Sequence, residues 1–370
     1  MARTYGFRVF IVEAYPNRKS GNEPLNAAHD SPLRHEIALL LGRLQRNGTV
    51  RFLPSTRPDG SETGKPVRTA TVNTVEDVNA HLLHVGISIG ETGSHSKATK
   101  LNKKAKNLEN WSPEAEHAVT FLFPSERDSH FFVVTQTIHR RDPLLRLLKI
   151  LREESTKHRS ELQARDKQAR DASKAKGNRP AAAPKRTRLM FDHKQASDDT
   201  YLDEILAGAD SASVVFKSKR MDARGGKAYV DRVLQIKLRD QNIIDVGRTL
   251  GRRWTQRWRA GETTTAHQAV SEVSDLLQDQ DLIDDGEQAR YETAAISVRS
   301  TSEATTTITA DTLKDAFTYP VSDIKPDPYT HYSEVSSRLA KIADQEGVEI
   351  QEIDPHEVAR CLTGSTPAHS

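Results

Sequence analysis

Ten cations in two clusters are the residues whose types and spacing point most directly to a chemistry. Lys217, Lys219, Arg220, Arg224 and Lys227 surround Gly225-Gly226, a turn between two strand-like runs. Arg248, Arg252, Arg253, Arg257 and Arg259 follow on a segment that reads as a helix. On that helix Ile243, Val246, Leu250, Trp254 and Trp258 recur at three- and four-residue spacing and form one apolar stripe. Arg248, Arg252 and Arg259 form a second stripe, with Arg253 and Arg257 flanking the tryptophans. Guanidinium groups held against a rigid backing present planar donors to phosphate oxygens. The competing reading makes the tryptophans core and leaves the arginines solvated or paired with acidic residues further along the chain.

Catalytic chemistry is harder to find. A phosphate loop requires a glycine five positions before Gly-Lys-Ser/Thr, so that backbone amides cradle the phosphates and a hydroxyl holds magnesium. Gly226-Lys227-Ala228 lacks the hydroxyl, and position 221 is methionine. The glycine-rich run 86–93 is not followed by Gly-Lys-Ser/Thr. A metal-dependent nuclease core needs an acid followed by a strand carrying Glu-x-Lys or Asp-x-Lys. Asp231 followed by Gln235-Ile236-Lys237 has glutamine where a carboxylate belongs. Asp344 with Glu349-Ile350-Gln351 is a looser echo, expected on a strand. His81 and His84 lie three apart without a third ligand nearby in sequence, and read as surface or half-buried residues. The single cysteine, Cys361, excludes an intramolecular disulfide framework and a cysteine-rich zinc site. It sits in a C-terminal helix and reads as buried. No motif calls for a cofactor or a metal, and the chain reads as non-enzymatic.

The net charge of +3 conceals a division. Residues 261–362 hold 21 acidic and 7 basic residues, a net of −14, while residues 1–260 carry +17. Segment 151–188 holds 12 basic and 5 acidic residues, and segment 217–259 holds 13 and 4. Such asymmetry points to one part that meets a polyanion. The alternative is mutual neutralisation across an interface. No run approaches the roughly 18 apolar residues of a membrane span, and the N-terminus lacks a signal-peptide core. The expected compartment is the cytoplasm.

The elements that must position these residues are legible in outline. Phe7–Tyr15 reads as a buried strand, and Ser31-Pro32 caps a helix whose Ile37, Leu40, Leu41 and Leu44 face inward, closed by Asn47-Gly48. Strands follow near 49–53 and 66–72, then a turn or short helix at 75–78 and a strand at 84–89. Residues 90–110 read as a mobile loop. The runs 119–123 and 130–138 form an antiparallel pair. Asp142-Pro143 opens a leucine-rich helix that runs into a basic linker ending in Gly177–Pro184. Strands near 188–192, 213–217 and 229–238 follow, with a short helix at 200–206 among them. Helices built on Ala266, Ala269, Val270, Val273 and Leu276, and on Val335, Leu339 and Ile342, complete the pattern. The clustering of strands and helices predicts an α+β fold, with mixed or antiparallel sheets, flanking helices, a basic linker and a mainly helical acidic C-terminal part. The expected divisions are 1–150, 151–187, 188–260 and 261–370.

The order of these elements resembles the RexA-type phage-exclusion proteins. The resemblance runs over roughly residues 70–225. It comprises the Thr74–Val78 turn, the strand Phe121-Leu122-Phe123, a loop with Asp128, the strand Phe131–Thr137, the Asp142–Leu148 helix, Leu202–Leu206 and the strand Val214–Arg220. It implies a prophage-encoded, dimeric protein of antiviral defence that binds DNA without sequence specificity, beside a membrane-embedded effector protein that executes the exclusion. The basic linker and the long acidic C-terminal part depart from that pattern.

The combined expectation is a sequence-nonspecific double-stranded DNA-binding homodimer acting in phage exclusion or abortive infection, through the ten cations above. The acidic C-terminal part is a candidate competitor for the basic face. The alternatives are a degenerate metal-dependent nuclease and a protein-interaction adaptor with opposed charge poles.

Overall fold

The computed structural model describes residues 5–52, 67–91, 97–98, 106–107, 114–139, 141–175, 186–198, 200–201, 204–205, 209–221, 228–238, 249–257, 260–262, 264–278, 291–300, 305–309 and 317–364. In chain order the first elements are β1 (Tyr5–Pro16), α1 (Pro32–Asn47), β2 (Val50–Phe52), β3 (Arg68–Asp77) and β4 (Leu82–Glu91). Next come β5 (Lys97–Ala98), β6 (Lys106–Asn107), β7 (Glu114–Leu122), β8 (His130–Ile138), α2 (Leu144–Ala175) and β9 (Leu189–Gln195). They are followed by β10 (Ala209–Met221), β11 (Ala228–Leu238), α3 (residues 249–257), α4 (Ala266–Gln278), β12 (Thr293–Ser300) and β13 (Thr305–Ile308). The last are β14 (Tyr319–Ser322), α5 (Pro328–Glu346) and α6 (Pro355–Thr363). The fold is α+β, built on two antiparallel sheets.

The chain forms two compact units, residues 1–196 with 320–370 and residues 197–319. This differs from the expected divisions. β9 pairs with β1 from Phe10↔Gln195 to Pro16↔Leu189, so the α2 segment returns to the first strand instead of linking two domains. The acidic part is split because β14 joins the same sheet beside β1.

In the larger unit the sheet order is β14-β1-β8-β7-β4-β3-β2, with β9 also on β1. Alternation along the strands sorts the two faces. Phe10, Val12, Val85, Ile87, Val119, Phe121, Phe131 and Val133 join the buried core formed with Ile37, Leu40 and Leu41 of α1 and Leu147 and Leu151 of α2. His84 and Thr120 point to the other face, where they meet Tyr332 of α5. Serine or aspartate before proline starts the helices: Ser31, Asp327 and Asp354 cap α1, α5 and α6, each with proline in the first turn. Asp142 accepts from the Leu144 amide at 3.1 Å and binds Arg8 at 3.0 Å, seating the start of α2 against β1.

The turn or helix expected at 75–78 is strand instead. β3 continues to Asp77 because its pairing with β4 resumes after a register shift between Val72 and Thr74. Within the segment 90–110, Gly90 and Glu91 end β4 and residues 97–98 and 106–107 form the two-residue β5–β6 ladder; the rest of it lies outside the described residues, as does Gly177–Pro184. The acidic part is mainly helical, through α4, α5 and α6, and it also supplies the short strands β12, β13 and β14.

The smaller unit carries the sheet β11-β10-β12-β13. Val214, Phe216, Ala294, Ile296, Val298 and Ile308 are buried, and α4 buries Ala269, Val270, Val273 and Leu277. No helix among the described residues is long and apolar enough to cross a membrane.

Candidate nucleic-acid interface

The predicted cations divide by what the fold does with them. Lys217, Lys219 and Arg220 fall on β10, opposite Val233, Val230 and Tyr229 of β11. The ladder shifts register between Ser218 and Lys219, as a bulge would require. The Lys217 side chain is exposed, on the face opposite buried Phe216. Its neighbour across the ladder, Val233, is 56% exposed, so this part of the sheet face is open to solvent. Arg224, Lys227, Arg248 and Arg259 lie outside the described residues, as do Ile243, Val246 and Trp258.

Helix α3 follows the apolar stripe read from the sequence. Leu250 and Trp254 are buried, and Trp254 donates from Nε1 to Glu272 Oε2 of α4 at 3.0 Å. The other oxygen of Glu272 holds Arg257 in an ion pair. Arg257 is thus neutralised inside its own unit by a residue of the acidic part, which favours the competing reading at that position. Arg252 and Arg253 are exposed. The smaller unit contains 16 basic and 21 acidic residues, a net of −5, so its cations work against an acidic background.

The larger unit supplies a cavity the sequence did not point to. A pocket of about 300 Å³ is lined by Thr74, His84, Gly86, Glu116, Lys325 and, from α5, His331 and Tyr332. Behind it runs a buried polar chain, with the Tyr332 hydroxyl 2.7 Å from His84 Nδ1 and 2.6 Å from Thr120 Oγ1. Burial lowers the pKa of His84 and His331 to about 4 and raises that of Tyr332, so all three are uncharged at neutral pH. Lys325 lies 3.0 Å from Glu116 and holds its carboxyl below the usual carboxylate range. Gly86 is required by packing: its amide donates to Thr74 Oγ1 at 3.1 Å, and a Cβ at this position would lie 2.5 Å from that oxygen. The pocket therefore offers neutral imidazole, a carboxylate and an ammonium to a small polar molecule.

Three sequence expectations change here. His84 is 7% exposed and held by Tyr332, so it is buried, whereas His81 is half-buried as expected and stacks on His29 with ring centroids 4.1 Å apart. Cys361 is exposed, not buried. Glu349 follows α5 on a stretch that is not a strand, and its carbonyl accepts from the Ser125 amide at 3.0 Å. The strand-borne arrangement sought for Asp344 and Glu349 is thus absent. The Asp231 and Lys237 side chains lie outside what is described. Among the described residues, no group of three or more His, Cys, Asp or Glu is placed to hold a metal ion. Comparison with protein-family models, with curated proteins and with solved structures finds no match to this chain.

Proposed function

We propose that this protein binds the phosphate backbone of double-stranded DNA without reading its sequence. The observation that carries this reading is a charge surplus that outlasts folding. The acidic segment 320–370 belongs to the larger unit, yet that unit still holds 38 basic against 30 acidic residues, a net of +8. A cationic surface gains affinity for duplex by releasing condensed counterions, which needs no shaped base-reading element. The cellular setting we propose is the phage exclusion implied by the RexA-type resemblance. There a homodimer on DNA would act beside a membrane-embedded effector protein.

The test is the 260/280 nm absorbance ratio of freshly purified protein before and after a high-salt wash, followed by fluorescence anisotropy on a labelled duplex. The reading expects nucleic acid to co-purify and salt to strip it, with the washed protein rebinding random-sequence duplexes equally. Washed protein that ignores duplex at low salt contradicts it. Magnesium-dependent cleavage of the duplex would instead favour the nuclease alternative.

A further inference from the structure

We propose that one solvent-facing stripe of α2 is the surface on which duplex DNA docks through its phosphates. This rests on the DNA-binding reading above, and moves the principal contact from the β10–β11 turn and α3 to α2.

The stripe is written in the spacing. Arg152, Arg159, Lys167, Arg170 and Lys174 follow one another at intervals of seven, eight, three and four residues, all helical repeats. At 3.6 residues per turn they fall within an arc of about 80°, along about 33 Å of helix. The residues that anchor α2 occupy a different arc: Leu144, Leu147, Leu148, Ile150, Leu151, Glu154 and Ser155 are buried. The cations therefore face away from the core. Beyond Ser155 the helix carries little apolar surface. Lysine, arginine, glutamine, glutamate and alanine favour the helical state there, and Thr156 and Ser160 donate back to the carbonyls of Arg152 and Thr156.

The acids of α2 lie outside the arc of cations, with Asp166 at its border about 20° from Arg159. Four of them are paired within the unit, Glu153 with Lys149 at 3.9 Å. Arg43 of α1 binds Glu154 at 2.7 Å and Glu161 at 2.9 Å. Asp166 accepts from Arg186 Nε at 2.9 Å and from Nη2 at 3.2 Å. Glu153 and Asp171 share an arc about 100° from Arg152. Arg152, Lys167 and Lys174 are exposed and have no acidic partner among the described residues. Arg159 donates to Asn17 Oδ1 at 3.3 Å, and Arg170 donates to the Asp166 carbonyl at 3.2 Å and adds to the pull of Arg186 that lowers the pKa of the Asp166 carboxyl.

A second element extends the stripe. Asn17, in the left-handed region at φ 70°, donates its amide to the Arg188 carbonyl at 2.8 Å and brings the start of β9 alongside α2. Arg188 then shares a shallow groove with Arg152, Thr156, Met190 and the acid Glu153.

The occupant follows from shape and charge. A rigid row of cations about 33 Å long is close to the roughly 34–36 Å of one duplex turn. A membrane-binding helix would need an apolar face beside its cations, and the outer half of α2 has Leu162 as its one large aliphatic residue. One narrow arc of cations contacts phosphates and leaves base edges unread.

The experiment uses two double variants of the full chain with the same change in net charge on the same helix. Lys167→Glu with Lys174→Glu alters the stripe, whereas Lys157→Glu with Arg165→Glu alters exposed cations on other arcs. Circular dichroism confirms that helix content is retained, and anisotropy is read on a random duplex of about two turns between about 50 and 200 mM salt. The stripe pair is expected to weaken binding about tenfold or more and to flatten the salt slope by about 2, while the other pair stays within about threefold. Equal losses in both pairs would overturn the stripe in favour of general net charge. So would full binding by the stripe pair, or a loss produced only by Lys217→Glu with Arg253→Glu. Stripe-dependent binding to phosphatidylserine vesicles in preference to duplex would overturn it as well. A wild-type chain that ignores duplex altogether defeats the DNA reading itself, which separates the two failures.

Discussion

Tyr332 and His84, 248 residues apart in the chain, share a hydrogen bond of 2.7 Å in which both groups are buried. The same hydroxyl lies 2.6 Å from Thr120 Oγ1, so one phenol ties α5 to the two neighbouring strands β4 and β7. This is how the acidic C-terminal segment becomes part of the first unit.

Tyr332→Phe should therefore cost about 1–3 kcal/mol of stability in urea unfolding, because His84 Nδ1 and Thr120 Oγ1 lose their partner in a buried site. Adding Thr120→Val should recover part of that loss, since one orphaned group is then removed. A neutral Tyr332→Phe would show that water replaces the hydroxyl.

Acid should loosen the same contact. His84 and His331 titrate near 4 when folded and near 6.5 when unfolded, because burial disfavours the imidazolium. Between those values the unfolded chain binds more protons, so their contribution is complete above about pH 6.5 and is lost as the pH falls towards 4. The urea midpoint should drop between pH 7 and pH 5, and His331→Phe should make the drop shallower. An identical pH profile in that variant would place the acid sensitivity elsewhere.

Gly86→Ala should destabilise by about 1–3 kcal/mol, since its Cβ would meet Thr74 Oγ1 at 2.5 Å. In a double-mutant cycle, Thr74→Ala removes that oxygen and should make the alanine at 86 less costly. Additive effects would mean that the strand shifts to relieve the contact.

The arginines of α3 should separate by readout. Arg257 is paired with Glu272, which also anchors Trp254, so Arg257→Ala should lower stability by about 1–2 kcal/mol and alter duplex affinity less than threefold. Arg253→Ala should leave stability within about 0.5 kcal/mol. Urea titration followed by tryptophan fluorescence, together with anisotropy, checks both.

Much of the fold was legible because its signals are local. Ser31-Pro32 announces the start of α1, and Leu144, Leu147, Leu148 and Leu151 declare the buried arc of α2. The strands β1, β4 and β8 are apolar runs of β-prone residues. What stayed hidden is long-range. The pairing of β9 with β1 and the placement of β14 beside β1 join segments far apart in sequence, and no local pattern encodes them. β12 and β13 carry no clear strand signal, because threonine and serine are interspersed with the apolar residues of Thr293–Ser300 and Thr305–Ile308.

The candidate site was legible in charge but less so in place. The cation excess of 217–259 is plain in the sequence, yet Glu272 neutralises Arg257 there, and the surrounding unit is acidic. The stripe on α2 depends on azimuth, and on Arg43 and Arg186 engaging Glu154, Glu161 and Asp166. The count for 151–188 could not show that. Helical spacing at residues 152–174 was the available signal, obscured because the apolar periodicity fades beyond Ser155.

The central claim is that duplex DNA is held by phosphate contacts, and the salt dependence of wild-type binding tests it most directly. With about four to six phosphates neutralised, log K should fall linearly with log salt at a slope of roughly −4 to −5. A flat profile, or no binding to duplex at low salt, would contradict the account.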